Sequence, residues 1–283
     1  MAAASKIKAA CVIGWPVEHS RSPMIHGYWI KQHGLNAEYR REAVPPDQFE
    51  AFVSQLAERG YVGANVTIPH KEAARALSKP DDRAETIGAA NTLWLDGTTL
   101  RSTNTDAEGF INNLDASAPG WNRGLETAVV IGAGGTARAV VYGLSERDVA
   151  RIHVVNRTFE RAAALCEDFG ARAHPVRWEE LGGLCSGAGL LVNTTSLGMT
   201  GKPPLTINLA GLPASAVVAD VVYAPLETAL LAAARRRGLR SVDGLGMLLH
   251  QAVRGFELWF GVRPEVTAEL RALVQADLMR DQA

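Results

Sequence analysis

Thr127-Ala128-Val129-Val130-Ile131-Gly132-Ala133-Gly134-Gly135-Thr136-Ala137 decides how this chain of 283 residues is built. Thr127 to Ile131 is a continuous apolar and β-branched run, the pattern of a strand buried on both faces of a parallel sheet. A glycine turn follows, and Thr136 to Leu144 has the composition of a helix. Gly132 permits the tight turn, Gly134 lets the backbone approach a pyrophosphate, and Ala137 takes the place of a third glycine where helix meets strand. Backbone N–H groups at the start of such a helix face phosphate. Gly132, Ala133, Gly134, Gly135, Thr136 and Ala137 are therefore candidate dinucleotide-binding residues.

The next strand, Arg151 to Val155, decides which dinucleotide. A site for NAD carries an acid about 20 residues beyond the glycine loop, where it accepts hydrogen bonds from the ribose hydroxyls. Here the strand ends in Asn156-Arg157-Thr158, followed by Arg161, with no acid at the tip. Two guanidiniums four residues apart suit a 2′-phosphate, so NADP is the expected cofactor, with Asn156, Arg157, Thr158 and Arg161 as its adenosine-side contacts. Gly189 to Val192, Ala216 to Val222 and Arg240 to Val242 continue the series of buried strands and complete a Rossmann-like parallel-sheet domain.

Upstream, Ala9 to Gly14, Glu38 to Val44, Gly63 to Thr67 and Thr92 to Leu95 read as strands. Ser22 to His33 and Asp47 to Glu58 read as helices, with Ser22 and Asp47 as expected N-caps. Asp115 to Gly124, rich in breakers, precedes the new folding unit. After Gly244 helical periodicity returns: Leu249, Ala252, Phe256 and Trp259 recur at three- and four-residue spacing, and Val266 to Leu278 forms another amphipathic stretch. The alternation predicts an α/β protein with parallel sheets and two domains: an open α/β substrate domain, 1–106 plus 244–283, and a cofactor domain, 107–243.

Composition narrows the partners. Hydrophobic residues at 47% and charged residues at 21% describe an ordinary globular protein. Lys plus Arg (29) nearly cancel Asp plus Glu (30), so no net field draws nucleic acid or an anionic membrane. A small-molecule substrate is expected, on a monomer or homodimer. Cys11, Cys166 and Cys185 show neither disulfide nor zinc-ligand spacing, so no metal is expected. No signal peptide or membrane span is apparent, and the expected location is cytoplasmic.

Four upstream segments carry more polar residues than folding needs. Ser20 and Ser22 lie at a strand-to-helix junction. Asn65, Thr67 and Lys71 close the strand Gly63 to Thr67. Asn91 lies in Gly88-Ala89-Ala90-Asn91-Thr92. Asp106 ends Asn104-Thr105-Asp106, where the first domain hands over to the second, and is expected to face an interdomain cleft. Open α/β sheets bind ligands beyond the carboxyl ends of their strands, so Lys71 stands where chemistry is expected. Beside a carboxylate it is a candidate proton donor.

Taken together, these segments resemble the shikimate dehydrogenase family. The resemblance runs through the chain in order: S-x-S at Ser20 and Ser22, N-V-T-x-P-x-K from Asn65 to Lys71, G-A-x-N-T, N-T-D, the glycine loop, N-R-T, N-x-T-S from Asn193 to Ser196, D-x-x-Y-x-P from Asp220 to Pro225, and M-L-x-x-Q-A from Met247 to Ala252. It implies that Ser20, Ser22, Asn65, Thr67, Lys71, Asn91, Asp106, Tyr223 and Gln251 contact a polyhydroxylated ring acid, with Lys71 and Asp106 as the catalytic pair. It implies further that Thr195, Ser196, Met199, Val221 and Gly244 join the cofactor site, although Met199 reads more as packing. The implied reaction is the reversible NADPH-dependent reduction of 3-dehydroshikimate to shikimate, a step toward aromatic amino acids and chorismate. The alternatives are a quinate or aminoshikimate dehydrogenase, or a non-catalytic NADP-binding regulatory protein. Two positions depart from the family pattern: Ser102 replaces a usual glycine, and Ala90 replaces the common valine. Lone His19, His26, His70 and His250 read as structural.

Overall fold

The computed structural model describes residues 7–280. They form two compact units, one of residues 7–105 with Gln251–Ala276, the other of Asp106–His250 with 277–280.

In the first unit, the elements are β1 (Lys8–Gly14), α1 (Ser22–Gln32), β2 (Ala37–Ala43), α2 (Phe49–Ser54), β3 (Tyr61–Val66), α3 (Lys71–Ala76), β4 (Lys79–Pro80), α4 (Asp82–Ile87), β5 (Thr92–Asp96) and β6 (Thr99–Thr103). Its sheet runs in the order β2-β1-β3-β5-β6-β4. β1 is parallel to both β2 and β3, but β5 is antiparallel to β3 and to β6. The unit is open α/β as expected, yet its sheet is mixed rather than parallel. A hairpin is the cause. Asp96 pairs with Thr99 across Gly97-Thr98, and Gly97 has φ +62° at the first central position, where a tight hairpin turn calls for glycine.

Neither expected cap forms. Arg21 holds the cap position of α1, and Ser22 is already helical with Pro23 behind it. Pro46–Gln48 makes a 3-10 turn that takes up Asp47, so α2 begins at Phe49 after Gln48. Among the described helices, Asp81 does cap α4, accepting the Ala84 N–H at 2.9 Å.

One face of this sheet packs Cys11, Ile13, Phe49, Phe52, Ala64 and Val66 into a core. On the aromatic side, Trp29 meets Phe256 edge-on at 5.4 Å, and Trp259 donates its indole N–H to the Leu93 carbonyl at 2.8 Å. A Cβ on Gly63 would lie 2.1 Å from that indole nitrogen, so glycine is what lets the ring close over the strand.

The second unit comprises α5 (Asp106–Ser117), β7 (Thr127–Ile131), α6 (Gly135–Glu146), β8 (Arg151–Asn156), α7 (Phe159–Phe169), β9 (Ala173–Arg177), α8 (Leu181–Leu184), β10 (Leu190–Asn193), β11 (Val217–Asp220), α9 (Ala229–Arg236) and β12 (Arg240–Val242). Its sheet order is β12-β11-β10-β7-β8-β9, parallel throughout. Counted from its own first strand this is the 3-2-1-4-5-6 order of the Rossmann fold. Alternate residues serve opposite faces: Ala128 and Val130 enter one core, Val129 and Ile131 the other. That double burial explains the continuous apolar runs. β9 and α5 have no counterpart in the expected elements. β9 carries His174 and Pro175, tolerable because it is an edge strand.

α10 (Gly244–Phe260) and α11 (Ala268–Arg280) follow, and each contributes residues to both units. No described helix is long and apolar enough to cross a membrane, and the three cysteines are free and buried.

Candidate functional site

In the first sheet the chain order reverses between β1 and β3, so the loops after these two strands are where an open α/β sheet takes a ligand. Ser20 and Ser22 come from the first loop, Thr67 and Lys71 from the second. The loops are locked together: the Trp15 N–H donates to the Ile68 carbonyl at 3.1 Å, and the Thr67 N–H to Ile13 at 2.9 Å. A Cβ on Gly14 would meet the Thr67 methyl at 2.4 Å, so the close approach requires glycine there. Lys71 opens α3 and is partly buried. Its carbonyl accepts the Ala90 N–H at 2.9 Å, which brings Lys71 alongside the Ala90-Asn91 segment.

Asn65 and Asn91 are buried in a continuous polar net. Asn65 Oδ1 accepts from the Tyr39 hydroxyl at 2.6 Å and lies 3.3 Å from His26 Nε2. Its Nδ2 donates to the Asn91 carbonyl at 3.3 Å and to Thr92 Oγ1 at 3.2 Å. Asn91 Oδ1 accepts from the Thr105 N–H at 2.8 Å and from the Thr92 and Thr105 hydroxyls, both at 3.1 Å. Thr105 reaches on to Gln251 Oε1 at 3.5 Å. At the other end the Ser22 hydroxyl faces that of Tyr39, and Ser20 Oγ accepts the Ser22 N–H at 3.3 Å. Burial pushes His26 down to about 3, so it stays neutral, and it stacks on Tyr39 at 4.1 Å. His70 is structural as well, with Nε2 2.7 Å from the Val44 carbonyl oxygen and its ring on Phe49 at 4.3 Å.

Sequence reasoning passed over Tyr39 and Thr92. Tyr39 is flanked by Glu38, Arg40 and Arg41, which reads as a solvated strand. The buried Ser102 answers its own departure from the family pattern: its hydroxyl is hydrogen-bonded to that of Ser78 at 2.7 Å. Ala90 is fully buried.

The second sheet reverses between β7 and β10. Gly132 has φ +114°, and a Cβ there would lie 2.5 Å from Thr194 Oγ1. Gly134 and Gly135 differ, since a Cβ on either would enter open space. Gly134 precedes α6 without a capping side chain, and Ala137 is fully buried beneath. Bare N–H groups with open space before them fit a pyrophosphate. At the tip of β8 the Asn156 side chain donates to the Thr158 carbonyl at 2.8 Å, shaping the turn. Arg157 and Arg161 are exposed, and neither guanidinium has an ion-pair or hydrogen-bond partner among the described residues. Unclaimed guanidiniums beside a glycine loop fit a 2′-phosphate.

Beyond β10, Thr195 donates its hydroxyl to Asn193 Oδ1 at 2.7 Å and accepts the Leu197 N–H at 3.1 Å, so it shapes the loop. Ser196 is exposed, and so is Met199, contrary to a packing role. Gly244 packs on Val221: a Cβ there would lie 2.2 Å from the Val221 carbonyl oxygen. Asp220 organises this end of the unit. Its carboxylate accepts from Asn193 at 2.9 Å, the Val222 N–H at 3.0 Å and the Thr228 hydroxyl at 2.7 Å, which sets the course of the Tyr223 loop. Burial outweighs those bonds and pushes the carboxyl up to about 6. An acid closing the apolar run Val217-Val218-Ala219 was the available signal for it.

The chain matches three family descriptions in order: "Shikimate dehydrogenase substrate binding domain" over residues 12–93, "Shikimate / quinate 5-dehydrogenase" over 122–198, and "Shikimate 5'-dehydrogenase C-terminal domain" over 244–274. It is 65% identical to the shikimate dehydrogenase (NADP(+)) of Nitrobacter hamburgensis, across 98% of this chain and 97% of that one. The chain belongs to the shikimate dehydrogenase family. Two solved structures bear on the family's range. The shikimate 5-dehydrogenase of Thermus thermophilus, in complex with NADP(H) and shikimate, is 34% identical with a TM-score of 0.81, covering 97% of this chain and 99% of its own. The quinate dehydrogenase of Corynebacterium glutamicum, in complex with NAD, is 30% identical with a TM-score of 0.88, covering 95% and 99%.

Proposed function

We propose that this chain is an NADP-dependent shikimate dehydrogenase, an oxidoreductase that reduces 3-dehydroshikimate to shikimate reversibly in the route to chorismate and the aromatic amino acids. The observation that carries the reading is the gathering of Ser20, Ser22, Thr67, Lys71 and Asn91 at one end of the first sheet. It is supported by the 65% identity to an NADP-dependent shikimate dehydrogenase. The domain roles follow the same reading, with 1–106 plus 244–283 for substrate and 107–243 for cofactor. A cytoplasmic setting, a monomer or homodimer, and no nucleic-acid or membrane partner are parts of the proposal.

NADP would rest on Gly132, Ala133, Gly134, Gly135, Thr136 and Ala137, with Asn156, Arg157, Thr158 and Arg161 at the 2′-phosphate and Thr195, Ser196, Met199, Val221 and Gly244 toward the nicotinamide. When bound in its reduced form it supplies the hydride. Ser20, Ser22, Thr67, Asn91, Tyr223 and Gln251 would hold the ring acid through its hydroxyls and carboxylate, with Asn65 bonded into the same set. Neutral donors and acceptors suit such a ligand, because an analogue that lacks a hydroxyl leaves one of them unpaired. Lys71, as an ammonium paired with Asp106, would protonate the oxygen on which negative charge develops. In the oxidation direction neutral Lys71 takes the proton back.

Initial rates with shikimate and with quinate, each with NADP+ and with NAD+, test the reading. Preferred turnover of shikimate with NADP+ is expected. Preference for quinate with NAD+ would replace it with the second activity of the family, and NADP binding without turnover would replace it with a regulatory role.

A further inference from the structure

We propose that Tyr39 is a positioning residue for the substrate, acting through Ser22 and Asn65; the inference rests on the shikimate reading above. The hydrogen-bond polarity follows atom by atom. The Asn91 carbonyl oxygen has no proton to give, so the group facing it from 3.3 Å is Asn65 Nδ2. Asn65 Oδ1 then faces Tyr39 and His26, and both must donate to it. All four hydrogen-bonding positions of the Asn65 amide are thus taken by protein groups.

Tyr39 has one proton, committed to Asn65 at 2.6 Å, so toward Ser22 the phenol offers only lone pairs. The Ser22 hydroxyl faces them. Burial pushes the Tyr39 phenol well above its ordinary value and holds His26 at about 3, so neither changes charge near neutral pH. The net therefore has a single setting. It orients Ser22 at the start of α1, and through Asn65 it holds the Asn91 main chain and the Thr92 hydroxyl. Loss of the Tyr39 oxygen removes one of two donors to Asn65 and the acceptor that aims Ser22.

Tyr39→Phe keeps the ring and its stack on His26 at 4.1 Å and deletes that one oxygen. In the full-length enzyme, with folding checked by thermal melt, the KM for shikimate should rise about tenfold, while kcat and the KM for NADP+ stay within about twofold. The rise should be equal at roughly pH 6.5 and pH 9, because no member of the net titrates between them. In a Ser22→Ala background the same replacement should add less than about twofold, since the two act in series. An unchanged shikimate KM in folded Tyr39→Phe overturns the proposal, and so does a full rise that persists in Ser22→Ala. Wild-type enzyme is assayed first: failure to oxidise shikimate with NADP+ removes the underlying reading and this inference with it, a result distinct from the other two.

Discussion

The loops after β1 and β3 and the loops after β7 and β10 hold the same topological position in their own sheets, yet they are furnished in opposite ways. In the first unit the position is filled with polar side chains, Ser20 and Ser22 beside Tyr39, and Tyr39 hydrogen-bonded through Asn65 and Asn91 to Thr105 and Gln251. In the second it is stripped to backbone, with open space over Gly134 and Gly135 and two exposed arginines beyond. The difference follows from what each has to recognise. A diphosphate is bound by bare N–H groups and a helix terminus, which every sequence possesses once side chains are out of the way. A neutral pattern of ring hydroxyls needs donors and acceptors fixed in direction, and only a cross-linked set of side chains supplies that.

The largest effect on this contrast should come from Lys71→Ala, which removes the proposed proton donor. It should lower kcat by about 10²- to 10⁴-fold with a much smaller change in the shikimate KM. Near-normal turnover would break the assignment. Next in size is Arg157→Ala with Arg161→Ala, expected to raise the NADP+ KM by roughly 10- to 100-fold while leaving the NAD+ KM near its wild-type value. An equal loss for both dinucleotides would mean that the arginines serve the fold.

The glycines sharpen the comparison within the second unit. Gly132→Ala combines φ +114° with a contact of 2.5 Å to Thr194, and should cost roughly 2–4 kcal/mol of stability by denaturant unfolding. Gly134→Ala meets no atom within 4 Å, so stability should stay within about 0.5 kcal/mol while the NADP+ KM rises at least about tenfold. Equal behaviour of the two would contradict the division of labour between them.

The smallest effect concerns Asp220. Its carboxyl titrates at about 6 in the folded chain, against about 3.9 unfolded, so the folded state binds more protons between these values. The stability it contributes is therefore lost as pH rises from about 4 through 6. Asp220→Asn abolishes the titration, and the melting temperature of the variant relative to wild type should climb by a few degrees between about pH 4 and pH 7. A flat or falling difference would show that the three hydrogen bonds outweigh burial.

The two units also differ in how far they could be read in advance. The Rossmann strands are legible because double burial writes them as apolar runs, and β7, β8, β10, β11 and β12 all fall on expected segments, with ends shifted by up to two residues. β9 escaped because an edge strand can carry His174 and Pro175. In the first unit β2 is Ala-Glu-Tyr-Arg-Arg-Glu-Ala, whose charges hide the inward hydroxyl of Tyr39. The hairpin of β5 and β6 was written in Asp96-Gly97, a turn signal that an expectation of parallel strands left unused. Ser22 reads as a cap from its local neighbours alone. Its hydroxyl faces instead a residue seventeen positions on in a strand, a neighbour that no local pattern contains.

The bond between Ser78 and Ser102 carries a consequence for descent. Ser102 is fully enclosed, and Ser78 is the described partner of its hydroxyl. Alanine at 78 would strand a buried polar group, at a cost of about 1–3 kcal/mol, whereas glycine at 102 would release position 78 from that duty. A lineage can therefore give up the pair from the strand side but not from the helix side. The order in which the two serines were acquired and can be lost is set by which hydroxyl has somewhere else to turn, and Ser78, with the Ala74 carbonyl at 2.6 Å, is the one that does.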